Sequence, residues 1–572
     1  MHRTAFASLI ILAVILGTSC GKTDSTAVEF ADIVFVGDHI VSVDPATENA
    51  SGVAVRDEKI IEVGTRQAVE ALVGPDTRLV ELGSKALLPG FIDSHGHVSF
   101  AAAVVNMANL APPPVGPVES MNDLLQALRD YANDPDNADR PWLVGFGYDD
   151  SLILEKRHPA RRDLDEVSST RPIFLLHVSG HLAATNSRGL EALNIDATSK
   201  DPEGGIIRRE PKGQEPNGVL EETAAFGPMM QIMTPASPRE FAENIRKALA
   251  LYASHGITTA QDGAASPEAI QGFRALSAAA PFPIDVAAYR QAKSMAEDDY
   301  SNIKIDETYA NGFRLAGVKF SLDGSPQGRT AWMSEPYQEG PPNSNPDYRA
   351  YPTVNPERYS GQAAILLNRG VPLLVHTNGD AAIDLLLDSV AAAFPESMPD
   401  HRTVAIHAQL MRDDQVDKAA QLGVIPSFFS AHSFFWGDWH QKSFGEQRGK
   451  NISPTGSALK ADLLFTIHND APVVPPDMMR LLWATVNRQS RSGATIGEHQ
   501  KISIADALAA ATINGAYAYF EEDNKGSITK GKVADLIIVS ANPLEVASSD
   551  IKDLKVLETF SHGRSVFLRE TD

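Results

Sequence analysis

"LLPGFIDSHGHVSF", residues 87–100, runs from an apolar stretch through Pro-Gly into two histidines two positions apart. The apolar part reads as a short buried strand and the polar part as its exit. Residues i and i+2 of a strand point the same way, so His95 and His97 aim at one point. With 16 histidines in the chain, one such pair is not yet a site. The rest of the sequence has to supply its partners.

Seven further apolar runs follow: "RPIFLLHVSG" (171–180), "GITTAQDG" (256–263), "FRLAGVKFSL" (313–322), "GVPLLVHTNG" (370–379), "TVAIHAQL" (403–410), "GVIPSFFSAH" (423–432) and "DLLFTIHND" (462–470). Helical patterns stand between most of them. "SPREFAENIRKALALY" opens on a capping-box entry at Ser237, Pro238 and Glu240. "SPEAIQGFRALSAAA" starts similarly at Ser266, and "SMNDLLQALRDY" spaces Leu124, Leu125, Leu128 and Tyr131 on one helical face. Eight strands alternating with helices make an α/β fold, a (β/α)8 TIM barrel over residues 89–514. Residues 24–88 and 515–572 are rich in alternating Val and Ile with Gly and Asp turns, as in "ADIVFVGDHIVSVD" and "VLETFSHGRSVFLRE". These two ends are expected to form one small β-sandwich domain. Long Gly/Pro/polar segments at 198–218, 325–358 and 435–457 read as binding loops.

In a parallel barrel all strand C-termini open on one face, where active sites sit. Here the first strand ends in His95 and His97, the fourth carries Lys319, the fifth His376, the sixth His407 and the eighth Asp470. Taken singly, a strand-end histidine is commonly plain hydrogen-bonded structure, a lysine a salt-bridge partner and an aspartate a helix cap. The ordered set on five strands is what points to a metal. Imidazoles and a carboxylate suit a divalent ion such as zinc. The single cysteine, Cys20, excludes a thiolate site and an internal disulfide.

At this point the chain resembles the metal-dependent amidohydrolase superfamily, closest to the branch containing N-substituted formamide deformylases. "LLPGFIDSHGH" looks like its first-strand signature and "GSITKGKVADLIIVSANP" like its C-terminal one. "WLVGFGYDD", "NGVLEE", "VKFSLDGSPQGRTA", "VHTNGDAAID" and "NDAPV" extend the likeness from about residue 30 to 565. The resemblance implies that His95, His97 and Asp470 bind a first ion. It implies that Lys319, carboxylated on its amine, bridges to a second ion held by His376 and His407. With Lys319 unmodified, one ion held by His95, His97, His376 and Asp470 remains. Asp470 also becomes the proton carrier, and His181 in "SGHLAATNS" the group that orients the carbonyl. Two positions depart from the branch: Ile406 replaces a usual glutamate, and His468-Asn469 replace a usual Gly-Ser.

The expected function is hydrolysis of a non-peptide C–N bond, amide- or formamide-like, by metal-activated water with one or two zinc ions per chain. Ester, lactone or carbamate hydrolysis on the same site is the nearest rival, and a non-catalytic surface binding lipoprotein is another. The cluster "SFFSAHSFFWGDWH" (427–440) points to a small-molecule substrate with an apolar or aromatic group. A net charge of −23 argues against a nucleic-acid partner. Residues 1–20 read as a lipoprotein-type signal: a weakly basic start, an apolar run, then "LGTSC". The expectation is an exported protein, periplasmic or cell-surface, anchored to a membrane by a lipid on Cys20.

Overall fold

The computed structural model describes residues 30–202, 205–233, 237–341 and 344–570. The signal segment and Cys20 lie outside the described residues. Among those described, no helix is long and apolar enough to cross a membrane.

The centre is an eight-stranded, all-parallel sheet: β1 (Phe91–Ile92), β2 (Ile257–Ala265), β3 (Asp285–Gln291), β4 (Phe313–Ser321), β5 (Leu373–Thr377), β6 (Val404–His407), β7 (Ile425–Phe428) and β8 (Thr466–Ile467), in sequential order. The sheet curls until its edges meet. The Asp470 amide donates to the His95 carbonyl at 3.2 Å, and the Ser94 hydroxyl donates to the Ile467 carbonyl at 3.1 Å. Ile92, Ala287, Leu374, Val404, Ile406 and Ile425 form one apolar cluster with Tyr519 across the strands. Helices capped as their sequences require pack around the sheet. Ser237 accepts from the Glu240 amide and Ser266 from the Ala269 amide.

Seven of the eight runs chosen from sequence belong to this sheet, and one does not. "RPIFLLHVSG" forms Ile173–His177, a central strand of a separate six-stranded sheet inserted between β1 and β2. Buried on both faces, it has the continuous apolar signature of a barrel strand. The strand that takes its place is β3, "DVAAYRQ", whose two alanines and two charged residues kept it out of the apolar count. The segment 198–218 contributes the hairpin strands Gly205–Arg209 and Pro216–Glu222 to the inserted sheet. The segment 435–457 is largely helical, through Gly437–Phe444, Glu446–Lys450 and the start of Thr455–Lys460.

Two four-stranded sheets flank the barrel. One comprises Lys59–Gly64, Gly52–Arg56, Ile33–Val36 and Arg78–Glu81; the other pairs Ala86–Pro89 with the C-terminal strands Leu536–Val539, Val556–Ser561 and Arg564–Leu568. Ile33–Val36 and Arg78–Glu81 run parallel, and the remaining pairs are antiparallel. Phe35, Val53, Leu87, Leu536 and Phe560 share one hydrophobic cluster. Chain ends far apart in sequence therefore bury the same apolar surface.

Candidate metal centre

His95, His97, Lys319, His376, His407 and Asp470 converge where the sheet curls closed. His97 Nε2 lies 3.1 Å, His95 Nε2 3.4 Å and His407 Nε2 3.9 Å from carboxylate oxygens of Asp470. Lys319 Nζ is 3.4 Å from His95 Nε2. The rings of His376 and His407 are 4.7 Å apart, centroid to centroid. Donor atoms of His95, His97 and Asp470 all fall within 4.8 Å of one another. His181 stands beside this group, its Nδ1 2.9 Å from Glu222 Oε2.

Local backbone sets these positions. A side chain on Gly263 would put its Cβ 2.6 Å from His95 Cε1, so glycine there lets the second strand pass close to the ring. His407 is unusual. Val404 and Ile406 face one hydrophobic cluster and Ala405 another, so regular alternation would send His407 to the side of Ala405. Its φ of 70° breaks the pleat and brings its ring against His95 and His376. Asp470 (φ 55°) and Glu222 (φ 50°) share the left-handed region, which concentrates at functional sites.

Hydrogen bonds fix how His95 presents itself. The Gln261 amide nitrogen donates to the Ser94 carbonyl at 2.9 Å, so its oxygen faces His95 Nδ1 at 2.7 Å and can only accept. His95 Nδ1 then carries the proton and Nε2 keeps its lone pair. Burial pushes His95 and His407 well down in pKa, and Lys319 adds to both shifts, so the imidazoles are neutral. Burial also lowers the Lys319 amine to about 7, against the pull of Asp470. His181 moves the other way: burial lowers it, but the Glu222 carboxylate outweighs burial and the net shift is upward.

Asp470 Oδ1 is buried and has no hydrogen-bond donor among the described residues, although His97 Nε2 and His95 Nε2 stand within 3.4 Å. A carboxylate facing an imidazole lone pair is unfavourable unless a cation lies between them. The donor set fits a divalent ion.

A match to the amidohydrolase family model spans residues 78–567. The chain belongs to the amidohydrolase family. This amidohydrolase is 26% identical over 553 residues to N-substituted formamide deformylase of Arthrobacter pascens, covering 94% of this chain and 98% of that one. It is 26% identical over 557 residues to the protein LONG AFTER FAR-RED 3 of Arabidopsis thaliana, covering 94% and 92%. Its fold matches a metal-dependent hydrolase of Pyrococcus horikoshii with TM-score 0.72 at 23% identity, over 90% of this chain and 99% of that one. The enzyme is a hydrolase of non-peptide C–N bonds in a metal-dependent family.

Three parts of this amidohydrolase's site escaped the sequence reading. Glu222, visible in "NGVLEE" but left aside, is the partner of His181. Gln261 carries no motif of its own. His468, noted only as a departure from the family pattern, is fully buried with its ring 5.1–5.2 Å from those of His95 and His407. The aromatic run after β7 divides. Phe428 and Phe429 are core, Phe434 stacks edge-on to Trp483 at 5.3 Å, and Trp439 donates to the Gln327 carbonyl at 3.2 Å. Phe435 and Trp436 line a cavity of about 220 Å³. Its walls include Ala101 and Val104 of the helix after His97, and Val473 of the segment after Asp470. The His97 amide donates to the Ala471 carbonyl at 2.8 Å and staples those two walls together.

Proposed function

We propose that His95, His97 and Asp470 hold one zinc ion, and that Lys319, carboxylated on Nζ, joins it to a second held by His376 and His407. The orphaned Oδ1 of Asp470, set against ring nitrogens of His95 and His97, is the observation that carries this reading. A lysine held near pKa 7 supports it further, because only the neutral amine takes up carbon dioxide. A divalent ion at this point would acidify water and polarise a carbonyl.

The chain's own groups then divide the work. Asp470, on three histidines' ring nitrogens, accepts a proton from the attacking water and returns it to the leaving amine. His181, whose pKa the Glu222 carboxylate raises, donates to the carbonyl oxygen as negative charge builds there. The reaction is hydrolysis of an amide- or formamide-like bond. The substrate's apolar part enters the cavity beside Phe435 and Trp436. A dry apolar cavity of about 150 Å³ takes a benzene ring, so 220 Å³ has room for a benzyl-sized group. The "LGTSC" segment supports export and a lipid anchor at Cys20.

Matched amide and ester pairs test the reading on zinc-loaded enzyme. Turnover of N-benzylformamide above benzyl formate, relative to their uncatalysed rates, supports amide hydrolysis. Ester turnover alone assigns the site to the rival reaction.

A further inference from the structure

The ring nitrogens of His407 sit at the end of a buried hydrogen-bond chain. His407 Nδ1 lies 3.1 Å from His468 Nε2. His468 Nδ1 lies 2.9 Å from Ser427 Oγ. Ser427 Oγ lies 3.1 Å from Ser94 Oγ, and Ser94 Oγ lies 3.1 Å from the carbonyl oxygen of Ile467. All four side chains are buried.

A carbonyl oxygen can only accept. Ser94 therefore gives its single hydroxyl proton to Ile467 and must accept from Ser427. Ser427, its proton spent on Ser94, must accept from His468 Nδ1. A neutral His468 with its proton on Nδ1 has a lone pair on Nε2, so it accepts from His407 Nδ1. His407, neutral in turn, is left with a bare Nε2, the nitrogen that faces Asp470. One peptide carbonyl thus dictates the proton position on a ring three side chains away.

We propose that Ser94, Ser427 and His468 are positioning residues that lock His407 into the Nδ1–H tautomer, the form able to ligate through Nε2. An imidazole binds a metal only through a lone pair, and the partner on its other nitrogen fixes which tautomer is present. The inference rests on His407 being a ligand, as proposed above. Ser94 has a second part in the arrangement. Its backbone carbonyl receives the Gln261 amide that orients His95, so the supports of two imidazoles of the centre meet at one residue. Ser427 lies within β7, His468 directly after β8, and Ser94 just after β1. The relay therefore spans the seam where the sheet closes.

The test uses the full chain with Ser427→Ala, which removes the acceptor for His468 Nδ1 with little change in volume, and Ser427→Thr, which keeps the hydroxyl. Zinc affinity is read by competition with a chromophoric chelator, the cobalt-loaded site by its visible absorption, and the His407 tautomer by 15N shifts of histidine-labelled, metal-free protein. Expected are a lone-pair Nε2 on His407 in wild type, a 10- to 100-fold loss of zinc affinity on Ser427→Ala, an altered cobalt spectrum, and recovery in Ser427→Thr. Unchanged zinc affinity and cobalt spectrum in Ser427→Ala would overturn the relay. So would a proton on Nε2 of His407 in wild type. If Ser427→Ala fails to fold, Ser94→Ala interrupts the same chain at its far end. Wild type that binds no zinc yet shows the Nδ1–H tautomer would sink the metal reading and leave the relay standing.

Discussion

Lys319 and His95 approach each other to 3.4 Å, amine nitrogen to ring Nε2, with both side chains buried from solvent. The lone pair on that Nε2 can accept from the lysine amine. Burial holds the amine near pKa 7, so at neutral pH a large share of it is free to react. The arrangement suits carbamate formation.

Metal content in the presence of bicarbonate follows from this. Wild type is expected to carry about two ions per chain, and Lys319→Ala one or none, by elemental analysis. One ion in both proteins would make the site mononuclear and reduce Lys319 to a bystander.

The His181–Glu222 pair separates orientation from metal binding. Glu222→Gln should leave metal content intact while kcat falls about 10²-fold, the scale of losing one donor to a developing oxyanion. The loss should grow toward high pH, because without the carboxylate the His181 pKa drops and its proton leaves earlier. Equal losses at all pH values would show that the pair only packs the loop.

Opposite the site, Asp285 at the start of β3 ion-pairs with buried Lys525 and lies 3.1 Å from His562. Burial alone would raise the Asp285 carboxyl, but Lys525 and His562 outweigh it and hold the pKa at about 2. A depressed carboxylate contributes stability above its unfolded value and loses it as pH falls through the folded one. Asp285 should supply about 2 kcal/mol above pH 4, fading between pH 4 and 2. Asp285→Asn should therefore cost most near pH 6 and markedly less at pH 3, measured by denaturant unfolding. A cost independent of pH would remove the ionic explanation.

The cavity beside Phe435 and Trp436 predicts a substrate preference. Among formamides, N-benzyl should exceed N-methyl in kcat/KM by tenfold or more. Ala101→Phe, which fills the cavity, should erase the difference mainly through KM for the larger substrate. A preference untouched by the filling mutation would place the apolar group elsewhere.

How much of this was legible in advance depended on where each signal came from. His95, His97, His376, His407 and Asp470 stood out because ionisable residues are costly at the ends of apolar runs and so are conspicuous there. The β3 strand was not legible, since "DVAAYRQ" lacks the bulk that marks a buried strand, and the inserted Ile173–His177 carries more of it. Spacing could show that barrel strands end in ligand-type residues, but not that Gln261 or His468 stands behind them. Those contacts join residues more than 60 positions apart, and no local pattern encodes them.

The left-handed turn at His407 bears on how such a site could be moved or copied. A motif search finds a histidine after a short hydrophobic strand and treats the residue as the functional unit. Here the identity of the side chain is only half of the requirement. The same "VAIH" in an evenly pleated strand would deliver its imidazole to the outer layer, among the packing helices, where it could meet none of its partners. Grafting the residue into another barrel without its reversed backbone would transfer the letter and leave the function behind. The heritable unit is the histidine together with the bend that turns it inward.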